Sequence, residues 1–184
     1  MNIQALLNKW NIKCDSKTLL TMWNEPHRHY HTLDHLNDLI GQIKSNKLKF
    51  TEKEYDKLLL TALFHDCIYD PMRNDNEERS AEFFKNCSVD NEDTKEIYKM
   101  ILDTKFHDSD TKISIIFNNF DMNIVDRDFD KLLEWERGIY QEFKKYGKTV
   151  YKKHRLIFLE SLLDKHISNI DNILKLIEYV KDNY

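Results

Sequence analysis

The sequence predicts an all-α protein, a single-domain helical bundle over residues 1–184, on three observations. Apolar residues recur at three- and four-residue steps in segment after segment, the period of a helix with one buried face. No alternating run longer than a few residues argues for a sheet. Only three glycines and two prolines interrupt 184 residues, of which 41% are hydrophobic, and a chain of that length can bury a real core. No internal repeat, low-complexity tract or linker is evident.

In chain order, the pattern predicts helices around Ile3 to Lys9, another before Asn24, and then near 32–46, 51–69, 74–87, 91–105, 109–121, 126–146, 149–164 and 169–182. For the third, Pro26 discourages helix before it, Thr32 is placed to cap it, and Leu36, Leu39, Ile40 and Ile43 form its inward face. The helix from Thr51 opens on a capping box, Thr51 with Glu54, and continues through Tyr55, Leu58, Leu59, Ala62 and Leu63. Ile113, Ile116, Phe117 and Phe120 make a further apolar stripe. The last two helices, with Leu156, Leu159, Leu162 and Leu163 and then Ile173, Leu174, Ile177 and Val180, read as packing helices.

Polar residues interrupt these stripes at three places. In LLLTALFHDCIYDP the helical step from Leu59 and Ala62 lands on Asp66, with His65 beside it. A carboxylate on a core face is costly unless a positive partner meets it, and a divalent cation is the strongest such partner. The competing reading is a helix end where an exposed Asp meets a satisfied core histidine. In EPHRHYHTLDHL, His27, His29, His31 and His35 are four of the chain's eight histidines. His31 and His35 are four apart and can face one way, but the Glu of a zinc-protease helix is missing between them. The competing reading there is a polar loop with scattered histidines. Asp121, at the end of the Ile113–Phe120 stripe, supplies a third polar group, or else a surface carboxylate at a helix terminus.

The order His35, His65-Asp66, Asp121 resembles the H…HD…D pattern of the HD-domain superfamily of metal-dependent phosphohydrolases. The blocks RHYHTLDHL, ALFHDCIYDP, DNEERSAEFF and ILDTKFH resemble a subgroup of small predicted HD phosphohydrolases, and the resemblance spans about residues 23 to 160. It implies a helical bundle that holds one or two divalent ions between helix ends, with His35, His65, Asp66 and Asp121 at the ligand positions. His35-Leu36-Asn37-Asp38-Leu39 resembles the H-A-x-D-V helix of cyclic-nucleotide phosphodiesterases, whose ligand histidine comes first. Tyr30-His31 resembles their Y-H-N, which makes His31 the general-acid candidate or a ligand of a second metal. Two departures stand out: Thr32 replaces that Asn, and Asn119 lies where the subgroup has an Asp.

Two imidazoles and two carboxylates leave open positions on a divalent ion (Mn, Fe, Mg, Co, Ni or Zn), so that water can ionise near neutral pH while a phosphoryl oxygen is polarised. Asp70, four residues after Asp66, resembles the acidic residue that positions the attacking water in alarmone hydrolases; Asp70-Pro71 equally reads as the opening of a turn. Arg28, Lys105 and His107 are the cationic candidates for contacting substrate oxygens, with Arg73 and Arg79 weaker ones. Glu77 or Glu78 could hold a metal-bound water or pair with an arginine. Tyr30 and Tyr69 adjoin the proposed site and could pack against a nucleobase, whereas the remaining aromatics read as core.

The expected activity is hydrolysis of a small phosphate ester or anhydride, with a nucleotide as the first choice of substrate. A non-catalytic nucleotide-binding module and an HD-type di-iron oxygenase, drawing on His31 and His107, are the alternatives. No Gly-rich phosphate loop is present, and a net charge of −4 with pI near 6.1 disfavours a broad nucleic-acid surface. Cys14, Cys67 and Cys87 are odd in number and widely spaced, which suggests a reducing compartment. With no signal peptide or membrane-length apolar stretch read in the sequence, a cytosolic location is the expectation.

Overall fold

The structure, a computed structural model, describes residues 2–163 and 167–184. It is all-α: ten α-helices and no strand among the described residues. They are α1 (Ile3–Lys9), α2 (Ser16–Trp23), α3 (Leu33–Ser45), α4 (Glu52–Phe64), α5 (Asn76–Cys87), α6 (Glu92–Asp103), α7 (Lys112–Asp121), α8 (Phe129–Phe143), α9 (Lys148–Ser161) and α10 (Ile170–Asn183). Short 3₁₀ turns cover Lys47–Lys49, Met122–Asp126, Lys144–Tyr146 and Ile167–Asn169. The last residue of the helix expected over 149–164 lies outside the described residues. No described helix is long and apolar enough to cross a membrane.

Most helix starts are capped by a short polar side chain, as orphan N–H groups require. Asn2, Asp15, Thr32 and Asp128 accept from the first turns of α1, α2, α3 and α8. Thr51 and Glu54 form the expected capping box on α4, and Asn91 and Thr94 form a second one on α6. Asp75, before α5, does not cap; both its oxygens are taken by Arg73, at 2.7 and 2.6 Å.

The chain divides into two compact units, Met1–Asp121 and Met122–Tyr184. In the first, α4 is the central helix and touches α3, α5, α6 and α7. It is buried on every side from Asp56 to Phe64, as an all-round apolar helix must be. Its two buried charges are paired: Asp56 accepts from the Trp10 indole (3.0 Å) and meets Lys9 (2.5 Å), and Lys57 meets Asp93 (2.7 Å) and Glu96 (2.5 Å).

Where the pattern predicts helix over 51–69, α4 stops at Phe64, because side chains from elsewhere take the carbonyls that a continuing helix would use. Trp23 Nε1 donates to Leu63 O (2.9 Å), Arg28 to Asp66 O (2.9 Å) and Cys67 O (3.1 Å), Ser80 to Ile68 O (3.2 Å), and Asn76 to Asp70 O (3.0 Å). Four of these five carbonyls lie past the last helical residue, so the segment after His65 is held open as a polar-pinned loop. None of these long-range partners is visible in local periodicity.

The second unit packs α8, α9 and α10 around Leu132, Trp135, Ile139, Leu159, Ile173, Leu176, Ile177 and Val180. Contrary to the expectation of purely apolar packing for α9, that helix carries a buried polar centre. Glu136 of α8, with no exposed side-chain area, accepts from Arg155 Nε (2.6 Å) and from the Tyr151 hydroxyl (2.5 Å), and the guanidinium of Arg155 lies 4.2 Å from the Trp135 ring centroid. Removing one member of such a pair strands the other charge. Arg155→Met is therefore expected to cost about 3 kcal/mol in urea denaturation, and the double variant Glu136→Leu, Arg155→Met to recover most of that loss.

Candidate metal centre

Three of the four sequence-predicted ligands occupy helix ends in the first unit, and the fourth lies in the loop beside one of them. His35 lies in the first turn of α3, set there by the Thr32 cap. His65 closes α4 as its C-cap, Asp66 follows it into the pinned loop, and Asp121 is the last residue of α7. Gln42 joins two of these ends by donating to Phe120 O (3.2 Å) and to Asp38 Oδ2 (2.8 Å), so the end of α7 is held against α3.

The structure brings His35, His65 and Asp121 together as one group, and sets Asp66 against His65 outside it. Nε2 of His35 lies 3.1 Å from Asp121 Oδ1; Nε2 of His65 lies 3.5 Å from that oxygen and 3.2 Å from Asp66 Oδ2. One ligand atom each from His35, His65 and Asp121 falls within 4.8 Å of the other two. The site is closed from below by aromatic rings: Trp23 lies 5.4 Å from the His65 ring and 6.3 Å from that of His35, and Phe117 stands edge-on to His65 at 5.4 Å. His65 itself is 1% exposed.

The chemistry of this donor set fits a divalent cation. His65 Nδ1 donates to Ala62 O (3.1 Å), which leaves Nε2 as the free donor atom of the neutral ring, the tautomer found in histidine ligands. That Nε2 is buried amid carboxylate oxygens yet makes no aligned hydrogen bond. Two carboxylates and a bare imidazole nitrogen buried around one point are costly without a positive centre.

In the absence of a cation, a proton on His65 serves instead. Burial opposes the charged ring, but the charges of Asp66 and Asp121 outweigh it and hold His65 well above its ordinary 6.5. Burial likewise opposes the ionised carboxyls, yet His65, with His31 also facing Asp66 and His107 and His35 also facing Asp121, holds both below the ordinary carboxylate range. The raised His65 value contributes stability that is complete below its ordinary pKa and is lost as pH rises through the raised one. The lowered carboxylates contribute stability above their ordinary range, lost as pH falls through their depressed values.

Two more imidazoles flank the group. His107 Nε2 donates to Asp121 Oδ2 at 3.1 Å; its backbone sits at φ 48°, a left-handed position that turns the chain back toward α7. His31, a fifth exposed, has Nε2 4.0 Å from Asp66 Oδ2, and its ring lies 4.4 Å from that of Tyr69. The candidate general acid therefore stands at the solvent side of Asp66.

The other sequence-predicted residues have different surroundings from those expected. Arg28, a candidate for substrate oxygens, has no exposed side-chain area and spends all five N–H donors inside the protein: two on Glu25 Oε2 (3.2 and 3.1 Å), and one each on His31 O (3.1 Å), Asp66 O (2.9 Å) and Cys67 O (3.1 Å). It positions the two histidine segments instead of reaching outward. Lys105 Nζ is held by Glu78 Oε1 and Asn74 O, both at 2.5 Å. Asp70 opens a turn, with Oδ1 accepting from Met72 N (2.9 Å) and its backbone clasped by the Asn76 amide, and the helix that would have aligned it with Asp66 does not persist. Tyr69 is buried between the His31 ring and the Arg28 guanidinium, so its ring is already packed.

The DNEERS block explains itself here. Asn76 and Ser80, one helical turn apart on α5, grip Asp70 and Ile68 of the loop, and Glu78 holds Lys105. Glu77 is the acid that burial, and then the charge of Asp66, pushes above the ordinary glutamate value. The i, i+4 spacing of Asn76 and Ser80 was visible in the sequence, but their partner was not.

No family model, curated protein or solved structure matches the chain. The site is therefore read from its own side chains.

Two outcomes are expected. Because a cation must displace the His65 proton, affinity of the stripped protein for manganese should rise with pH across the interval from the ordinary to the raised His65 value, as calorimetric titration at several pH values would show. Arg28→Met leaves three buried carbonyls unmet and should cost about 2–4 kcal/mol in urea denaturation, while Arg28→Lys, lacking the planar fork, should restore less than half of it.

Proposed function

We propose that this chain is a metal-dependent phosphohydrolase of the HD type, acting on the phosphate ester or anhydride of a small molecule, with nucleotides first among them. The observation that carries the reading is the convergence of His35, His65 and Asp121 on one buried point, with Asp66 against His65 and the bare Nε2 of His65 aimed among carboxylate oxygens. The resemblance of the four sequence blocks to HD phosphohydrolases supports the same reading independently of geometry.

A divalent cation bound there supplies polarisation of a phosphoryl oxygen and a bound water of near-neutral pKa. The protein's own groups do the rest. His107 fixes one oxygen of Asp121, and Arg28 fixes the backbone of Asp66, so these groups are set before substrate arrives. His31, at the exposed edge beside Asp66, is placed to give a proton to a leaving oxygen. Two carboxyls stand for orienting the attacking water: Asp70, already engaged in its turn, and Glu77, coupled to the charge of Asp66 and kept basic by burial. Glu77 has the stronger claim.

A second reading rests on the flanking imidazoles. His31 near Asp66 and His107 on Asp121 double the nitrogen donors around the site, the composition that a di-iron oxygenase needs. Oxygen-dependent turnover supported by iron alone would select it.

The test is phosphate release from a nucleotide panel by metal-stripped protein, with manganese, magnesium, iron, cobalt, nickel or zinc restored singly. Release should require metal and vanish in Asp66→Ala, and His31→Ala should lower kcat by about 10²–10⁴-fold with metal stoichiometry unchanged. Undiminished turnover in Asp66→Ala would overturn the assignment, and stoichiometric nucleotide binding without release would mark a binding module.

A further inference from the structure

The three cysteines, far apart in sequence, are not far apart in the fold. Cys14 lies in the segment that leads into α2, and Cys87 is the last residue of α5. The two segments are in direct backbone contact, Lys13 N donating to Cys87 O at 2.6 Å. Across that bond each thiol perturbs the ionisation of the other, while the Cys14 thiol donates to Asp15 O at 3.5 Å. Both residues are half-buried, within reach of a small reagent, whereas Cys67 is fully buried.

We propose that Cys14 and Cys87 form a redox-sensitive pair that closes to a disulfide when glutathione disulfide reaches it. One cysteine thiolate attacks a sulfur of the oxidant and releases one glutathione. The second cysteine then displaces the other glutathione from the mixed disulfide. Two S–H bonds are lost and one S–S bond forms; one glutathione disulfide is reduced to two glutathione thiols, which take up the two protons. Cys87 is the better first nucleophile. Burial pushes the Cys14 thiol up to about 12, while the Cys14 thiol partly offsets the effect of burial on Cys87 by stabilising its thiolate. The exchange is therefore slow at neutral pH, a switch for sustained oxidation and not for brief exposure.

The bond would join the two elements that stand behind the candidate metal centre. The segment at Cys14 leads into α2, which carries Trp23 against His35 and His65; α5 carries Asn76 and Ser80, which grip the loop after Asp66. Cross-linking residues 14 and 87 constrains a long loop of the unfolded chain, so the oxidised protein should be the more stable form.

The experiment is incubation of the full chain with glutathione disulfide, followed by intact mass, peptide mapping and thermal melting. The expected product has lost two hydrogens, maps to a Cys14–Cys87 linkage, and melts roughly 5–10 °C higher, reversibly with dithiothreitol. Cys67→Ser should behave as the parent. Cys14→Ser should stop at a glutathione adduct on Cys87. Mapping of the unaltered chain keeps the test independent of whether any variant folds. Three free thiols after prolonged oxidation, or a linkage through Cys67, would overturn the proposal.

Discussion

The candidate metal centre depends on a helix being stopped at the right residue. Everything in the apolar pattern of α4 favours continuing past Phe64, yet Trp23, Arg28, Ser80 and Asn76 claim the carbonyls of Leu63, Asp66, Cys67, Ile68 and Asp70. Arg28 is the centre of this arrangement. Its planar fork spans His31 O on one segment and Asp66 O and Cys67 O on the other, so a single buried guanidinium sets the spacing between the histidine segment and the His65-Asp66 pair. Glu25 balances its charge, and the rings of Trp23 and Tyr69 flank it at 5.5 and 5.3 Å.

The same geometry explains why the site is charged and yet buried. Three helix ends deliver two imidazoles and the Asp121 carboxylate to one point above a floor of Trp23 and Phe117, and the pinned loop sets the Asp66 carboxylate against His65. That floor excludes water from beneath, which strengthens every interaction among the four groups and makes an uncompensated carboxylate expensive. A protonated His65 can neutralise one charge; a divalent cation neutralises both and uses the nitrogen that the Ala62 carbonyl has oriented.

What was legible in the sequence divides along range of interaction. The ten helices, the Thr32 and Thr51–Glu54 caps and the inward faces of α3 and α4 follow from spacing within a few residues, and the structure places them where that spacing predicts. The apolar stripes also pointed to His65, Asp66 and Asp121 as polar intrusions. The end of α4 at His65 stood in the sequence only as the competing reading, because what enforces it is five side-chain bonds reaching across up to forty residues. For the same reason Arg28 and Lys105 read as free cations in the sequence: nothing local reveals that Arg28 meets Glu25 and three carbonyls, or that Lys105 meets Glu78 and Asn74. The buried Glu136–Arg155 pair and the meeting of Cys14 with Cys87 belong to that class as well.

The most direct measurement is anomalous diffraction from crystals of the protein grown or soaked with manganese. One strong peak is expected at about 2.0–2.4 Å from Nε2 of His35 and His65 and from a carboxylate oxygen of each of Asp66 and Asp121. A manganese peak elsewhere, or none at this point in crystals that bind the ion, would contradict the reading of these four residues as a metal centre.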